Sequence, residues 1–165
     1  AIELVRIYPN CRGVVFEHPG VAEFSRSLVS SRGLSDRISV LEGDFNVDDI
    51  GSNYDLIIAS GVLDFARDHL NDFTRKLYTS LTPKGCLYLV THNVGADYQT
   101  PPESILGWLS SHLEGLDILL TKDTINNALQ ENGFIHIQTG EINSAFKHLQ
   151  GEFYSKLSNS LHSAK

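Results

Sequence analysis

Three polar residues stand where apolar runs stop. Glu17 closes Gly13-Val14-Val15-Phe16, and Ser60 closes Tyr54-Asp55-Leu56-Ile57-Ile58-Ala59. Between them, Gly43-Asp44-Phe45 closes the run that begins at Arg37-Ile38. A carboxylate carries two acceptor oxygens in one plane, which matches a pair of vicinal hydroxyls. An acid at the end of one strand and an acid–aromatic pair at the end of the next suit the ribose and the base of an adenosine group. The plainer readings are a solvated strand-end acid for Glu17, a cap or turn residue for Asp44 and a core side chain for Phe45. A fourth run, Cys86 to Thr91, ends in His92-Asn93. Histidine is the side chain best matched to proton transfer near neutral pH, so His92 is a candidate base or substrate ligand, with structural hydrogen bonding as the alternative. Trp108 and His112 lie four apart, on one helical face. Cys11, Cys86, His69, His136, His148 and His162 show no metal-ligand spacing, and no metal site is expected.

Placing these residues on one rim requires strands that all end on the same side. Apolar β-branched runs predict strands at Gly13–His18, Ile38–Asp44, Tyr54–Ser60 and Cys86–Thr91, the third buried on both faces. Ala1 to Tyr8 reads as a helix that ends at Pro9-Asn10. Pro19 opens another, with Val21, Phe24, Leu28 and Val29 on its apolar face and Gly33 as its stop. Asp68 to Leu81 carries Leu70, Phe73, Leu77 and Leu81 on one stripe, and Thr82-Pro83-Lys84-Gly85 breaks it. A helix is predicted from Pro101-Pro102 through Leu113. Another runs from an N-cap at Thr121 to Asn132-Gly133. Phe134–Thr139 alternates with period two as a fifth strand, and Ser144–Leu161 fits either a last strand or an amphipathic helix. Strands alternating with helices mean an α/β fold with crossover connections.

The 165 residues suffice for one domain, and no linker, repeat or low-complexity tract divides them. A formal charge of -7, from 13 basic and 20 acidic residues, argues against broad binding of nucleic acid or of an anionic membrane surface. No apolar run approaches the ~20 residues of a membrane span. Two cysteines on separate elements read as reduced thiols, which points to the cytoplasm.

In order and spacing these pieces resemble the class I S-adenosylmethionine-dependent methyltransferases. The closer match is to the O-methyltransferase family of plant phenolic and bacterial antibiotic-tailoring enzymes. Tyr8-Pro9 with Gly13 to Pro19 is similar to that family's strand ending in Phe-Asp-Leu-Pro. Arg37-Ile38 with Gly43-Asp44-Phe45 is similar to its Arg-Ile…Gly-Asp-Phe segment. Tyr54 to Phe65 matches its Tyr-Asp-Leu strand and following loop, and Leu81 to Gly85 its Leu-x-Pro-x-Gly turn. The resemblance covers roughly Ala1 to Gly140. It implies a Rossmann-like, doubly wound, mostly parallel sheet, and S-adenosyl-L-methionine as cofactor for methyl transfer to oxygen or nitrogen of a small molecule. Glu17 would then accept from the ribose hydroxyls and Asp44 from the adenine amino group. Phe45 would pack on the adenine, and Ser60 would lie near the methionine portion. Trp108 and His112 would line an aromatic substrate pocket, with core packing as the other reading.

Two departures accompany the resemblance. The family's first strand, its glycine-rich loop and its N-terminal dimerisation domain are not among these residues. The chain is therefore expected to be N-terminally truncated, to bind cofactor weakly on its own, and to form any homodimer through that other segment. Plant members also carry a catalytic His-Asp pair after the third strand. Aligned on Asp64, the His position is Leu63, which takes no proton. That leaves Asp64 and His92 as the candidate catalytic groups, with a helix cap as the competing role for Asp64. The alternatives are a non-catalytic, methyltransferase-like binding module and an NAD-type Rossmann oxidoreductase, which needs no Gly-Asp-Phe.

Overall fold

The computed structural model describes residues 1–116, 119–141 and 149–157. The chain divides into two compact units, Ala1–Gly51 and Ser52–Lys165.

In the first unit, α1 (Ile2–Ile7) leads into β1 (Gly13–Glu17), and α2 (Pro19–Ser31) crosses over to β2 (Ile38–Glu42). The two strands pair in parallel from Gly13 opposite Ile38 to Glu17 opposite Glu42. Pro19 occupies the first turn of α2, where a missing N–H costs nothing, and the His18 ring accepts from the Gly20 N–H. Val5, Val29, Leu34 and Ile38 form the core, with Ile2, Cys11, Val15 and Val40 packed against it. The apolar face expected of α2 is covered only in part. Ala22 and Val29 are buried, whereas Val21, Phe24 and Leu28 are exposed, Phe24 by 69%. A two-stranded sheet is narrower than a helix with its side chains, so it covers a single stripe of α2 and leaves the flank uncovered.

Arg37 ties this unit together. One guanidinium nitrogen donates to the carbonyls of Val5 (2.6 Å), Tyr8 (2.9 Å) and Cys11 (2.9 Å). These belong to the end of α1 and the turn after it, where helical carbonyls have no partners of their own.

In the second unit the strand order is β3 (Tyr54–Ser60), β4 (Leu81–Thr91), β6 (Gln150–Lys156), β5 (Phe134–Glu141). β3 and β4 are parallel, and the other two pairings are antiparallel, so the sheet is mixed. The helices are α3 (Leu70–Ser80), α4 (Pro102–Gly107), α5 (Leu109–Leu113) and α6 (Lys122–Glu131), with a 3₁₀ turn at Asp64–His69. The stripe on α3 is buried as expected at Leu70, Phe73, Leu77 and on to Leu81. The Thr121 hydroxyl caps α6 by accepting from the Thr124 N–H.

Several expectations need correction. β3 is not buried on both faces: Leu56 and Ile58 are 42% and 48% exposed while Ala59 is buried. Leu56 and Ile58, two residues apart, share the uncovered face of the strand, and Ala59 points to the other. Thr82–Gly85 does not precede a strand but bulges out of β4, because Tyr54 pairs with Leu81 and Leu56 already with Cys86. A Cβ on Gly85 would meet the Tyr54 carbonyl oxygen at 2.7 Å, so only glycine fits that bulge. The helix expected through Leu113 breaks at Trp108, which leaves α4 and α5 as separate turns. The ambiguous C-terminal segment is a strand at Gln150–Lys156; residues 144–148 and 158–161 of it lie outside the described residues.

β6 brings a buried charge with it. Glu152 pairs opposite Leu89 and is 5% exposed. Its oxygens accept from the Tyr154 hydroxyl at 2.6 Å and face the Lys122 ammonium at 3.1 Å. Burial alone would raise the Glu152 carboxyl, but the bonds from Tyr154 and Lys122 outweigh it and hold it below its ordinary value of 4.5. The same burial and carboxylate push the Tyr154 hydroxyl far up, so it stays a donor.

Two outcomes follow from these contacts. Arg37→Ala should cost about 2 kcal/mol in chemical denaturation, with Arg37→Lys recovering only part, since a lysine ammonium lacks the reach and the planar, pre-organised geometry of the guanidinium. The stability that Glu152 contributes is fully present above pH 4.5 and is lost as pH falls through its lowered value. Glu152→Gln should therefore flatten the acid limb of a stability-versus-pH profile below pH 4.5, and an unchanged limb would remove the ion pair from the account.

Candidate active site

In the first unit, parallel register sets the site. Because Glu17 and Glu42 are opposite each other, the chain leaves both strands at one level, and the Gly43 N–H donates to the Glu17 carbonyl at 3.0 Å. That bond brings Glu17, Gly43, Asp44 and Phe45 together at the carboxyl edge of β1 and β2. Gly43 is buried, and a Cβ there would meet Asp48 Oδ2 and Phe16 Cζ at 2.8 Å each. Its lack of a side chain therefore serves packing against Phe16 and Asp48. Asp44 opens the next turn: its Oδ1 accepts from the Asn46 N–H (2.9 Å), and its own N–H donates to Asp48 Oδ2 (2.8 Å). The turn role is thus real, yet it occupies only one carboxylate oxygen of an exposed Asp44. Among the described residues the half-buried Glu17 carboxylate makes no hydrogen bond or ion pair. Phe45, next to Asp44 in sequence, is half-buried.

In the second unit, Ser60 ends β3 exposed and level with Val90, two residues before His92 at the end of β4. Gly61 turns the chain away with φ +64° and donates its N–H to the Val90 carbonyl. Leu63, aligned with the histidine of plant members of the resembling family, is 1% exposed and belongs to the core.

Asp64 lies beneath the surface, 3% exposed, and does not cap the 3₁₀ turn that it begins. Its Oδ1 accepts from the Leu120 N–H at 2.8 Å, which anchors the turn to the segment entering α6. Burial raises its carboxyl, while the Leu120 bond and the nearby His92 and Arg67 charges pull it back only in part.

His92 is half-buried and is met by Trp108, whose indole N–H lies 3.3 Å from His92 Nε2. The two rings pack edge to face at 5.9 Å, and Phe65 meets Trp108 in the same way at 6.1 Å. Trp108 and His112 both line one cavity of about 320 Å³. Tyr98, Ile105, Leu109 and Leu119 complete most of its wall. A cavity of this size with mainly apolar walls and few polar groups has the character of a small-molecule site. Asp64 is not in its lining.

Sequence reasoning missed Phe65 and Tyr98. Phe65 stood beside Asp64 with no amphipathic pattern to explain it, and Tyr98 lies in a loop, where an aromatic needs a reason to be held; both signals were present. The bond from Leu120 to Asp64 joins residues 56 apart and left no mark in the sequence.

Residues 1–134 match the family model described as an O-methyltransferase domain. The chain belongs to that family. Over 84 residues it is 34% identical to a mitomycin biosynthesis 6-O-methyltransferase of Streptomyces lavendulae, an alignment covering 50% of this chain and 24% of the relative. A solved O-methyltransferase family protein from Burkholderia thailandensis shares the fold with a TM-score of 0.80 at 17% identity, over 95% of this chain and 47% of that one. An O-methyltransferase family 2 protein from Planctomyces limnophilus, solved in complex with apigenin, gives 0.75 at 22% identity, over 93% and 45%. The chain thus spans about a quarter of the length of the curated relative and about half that of the solved ones. Within this O-methyltransferase domain no described helix is long and apolar enough to cross a membrane. No group of three or more potential metal ligands occurs among the described residues.

The burial of Asp64 generates a sharp comparison. Asp64→Asn keeps an acceptor for the Leu120 N–H and removes a charge that burial disfavours, so stability at pH 7 should stay level or rise. Asp64→Ala leaves that N–H unmet and should cost about 1–3 kcal/mol. Thermal or urea unfolding of both variants decides between an anchoring carbonyl-type contact and a required charge.

Proposed function

We propose that this O-methyltransferase domain binds S-adenosyl-L-methionine and takes part in methyl transfer to an oxygen of an apolar, ring-bearing small molecule. The observation that carries this reading is the unengaged Glu17 carboxylate, brought level with Asp44 and Phe45 by the bond between Gly43 and Glu17. The donor set fits an adenosyl group. Glu17 would accept from the two ribose hydroxyls, the second oxygen of Asp44 from the adenine amino group, and Phe45 would offer its ring to the base. When bound, the cofactor supplies an electrophilic methyl group carried on a sulfonium sulfur.

The remaining work falls to the chain's own residues. The cavity beside Trp108 and His112 would hold the acceptor ring and exclude water, which strengthens the interactions of a reacting oxygen. His92, in contact with Trp108 of the cavity wall, would be the acid–base group that takes the proton of the acceptor hydroxyl. Asp64, buried and bonded to Leu120, acts behind it as a positioning residue rather than as a base in contact with substrate. The apigenin bound to the Planctomyces relative and the mitomycin biosynthesis role of the Streptomyces relative are in keeping with a ring-bearing acceptor. Two unpaired cysteines, Cys11 and Cys86, accord with a reducing compartment.

A second reading, binding without catalysis, draws on Leu63, which is buried where plant members of the resembling family have their base. Calorimetry of the full-length protein with S-adenosylmethionine separates the two. Glu17→Gln should weaken binding at least tenfold, since a charge-assisted bond contributes about 1.5–3 kcal/mol. Equal affinity of wild type and variant overturns the cofactor placement. Binding without methyl transfer to any ring-bearing acceptor supports the second reading.

A further inference from the structure

The contact between Trp108 and His92 has a chemical direction. An indole nitrogen is a donor only, so in the 3.3 Å contact with Nε2 the imidazole must be the acceptor. A histidine that accepts at Nε2 is neutral and carries its proton on Nδ1. Nε2 has one lone pair, and the indole N–H occupies it. Two further contacts hold the indole in place: the edge of Phe65 at 6.1 Å and the edge-to-face packing on His92 itself at 5.9 Å. The backbone around the imidazole is fixed as well, since the Ser104 hydroxyl of α4 donates to the His92 carbonyl at 3.1 Å. Trp108 also forms part of the cavity wall, at the break between α4 and α5.

We propose that Trp108 is the positioning residue of His92: its N–H fixes the imidazole as the neutral, Nδ1-protonated tautomer and keeps Nε2 from acting as a base until the indole moves. The consequence for function rests on the reading of His92 as the acid–base group. In the arrangement described, the cavity and the base share one side chain, so a ligand that shifts Trp108 frees the lone pair that accepts a hydroxyl proton. Among the described residues, two charged groups of the 3₁₀ turn bear on this pair. Asp64, from the 3₁₀ turn, favours a charged imidazole, and Arg67 of the same turn partly offsets that acid. Ser104 and Trp108, from the other side, carry no charge.

Nitrogen-resolved NMR of ¹⁵N-histidine-labelled full-length protein tests this without cofactor or substrate, with His92→Gln to assign the resonance among seven histidines. The expected result is Nδ1 protonated and Nε2 bare in the wild type. Trp108→Phe keeps a ring against Phe65 but deletes the donor, and a bond to the neutral form resists protonation. The His92 titration midpoint should therefore rise by about half a unit to one unit in that variant. A wild-type His92 protonated on Nε2, or a midpoint that Trp108→Phe leaves in place, overturns the proposal. The wild-type tautomer alone remains decisive if the variant fails to fold. These readouts stand apart from methyl transfer: the expected tautomer in a protein without that activity refutes the base role of His92 and not its positioning by Trp108.

Discussion

In a parallel pair both strands run out at the same end, and whatever follows each of them must leave the sheet there. This constraint governs both units. In the first it sets Glu17 level with Glu42, which lets Gly43 bond back to the Glu17 carbonyl and puts an acid, an acid and an aromatic within one turn. In the second it sets Ser60 level with Val90, and so near in height to His92. Polar residues gather at these ends because the strand interiors are spent on apolar packing, and the turns beyond them are the first places where a carboxylate or imidazole can remain hydrated.

Such strand ends are easy to read in a sequence. An apolar run announces the strand, and the first glycine, acid or histidine after it announces the exit; hence Glu17, Gly43-Asp44, Ser60 and His92 all fall where the pattern puts them. What the pattern cannot express is coverage. Leu56 and Ile58 look like core because they are apolar and close in sequence to core, yet they share the face of β3 that is left uncovered. Phe24 looks like a core residue of α2 because it shares spacing with Val21 and Leu28, and a two-stranded sheet is too narrow to reach it. Hydrophobicity states what a residue would prefer, whereas burial depends on how many strands are there to meet it.

Contacts between residues distant in sequence form the second class of hidden information. Arg37 reads as one half of a family signature, and its three bonds to the carbonyls around the end of α1 give that signature a physical reason. β6 was ambiguous because Gln150–Lys156 mixes glycine, charge and aromatics. Its strand character comes from β4 and β5, which flank it and leave a ladder to be filled on both sides. The break at Trp108 was hidden for a related reason. Gly107 is a weak helix residue at that point, but its apolar neighbours keep the helical spacing, and the indole is committed to His92 and Phe65.

Among its described residues the second unit keeps two acids, Asp64 and Glu152, from solvent and treats them in opposite ways. Glu152 is matched by an ammonium and a hydroxyl, and its charge is stabilised in place. Asp64 has a backbone N–H and the more distant His92 and Arg67 charges, and burial wins. A carboxyl that resists ionisation costs stability at neutral pH, so its retention needs a gain elsewhere. The geometry supplies one: the Leu120 bond holds the 3₁₀ turn that carries Phe65 against Trp108, and Trp108 in turn meets His92. Each link is an ordinary contact of modest energy, but they run in series. Loosening the first frees a ring that the last depends on, which is why a buried acid outside the cavity belongs to the description of what the cavity can do.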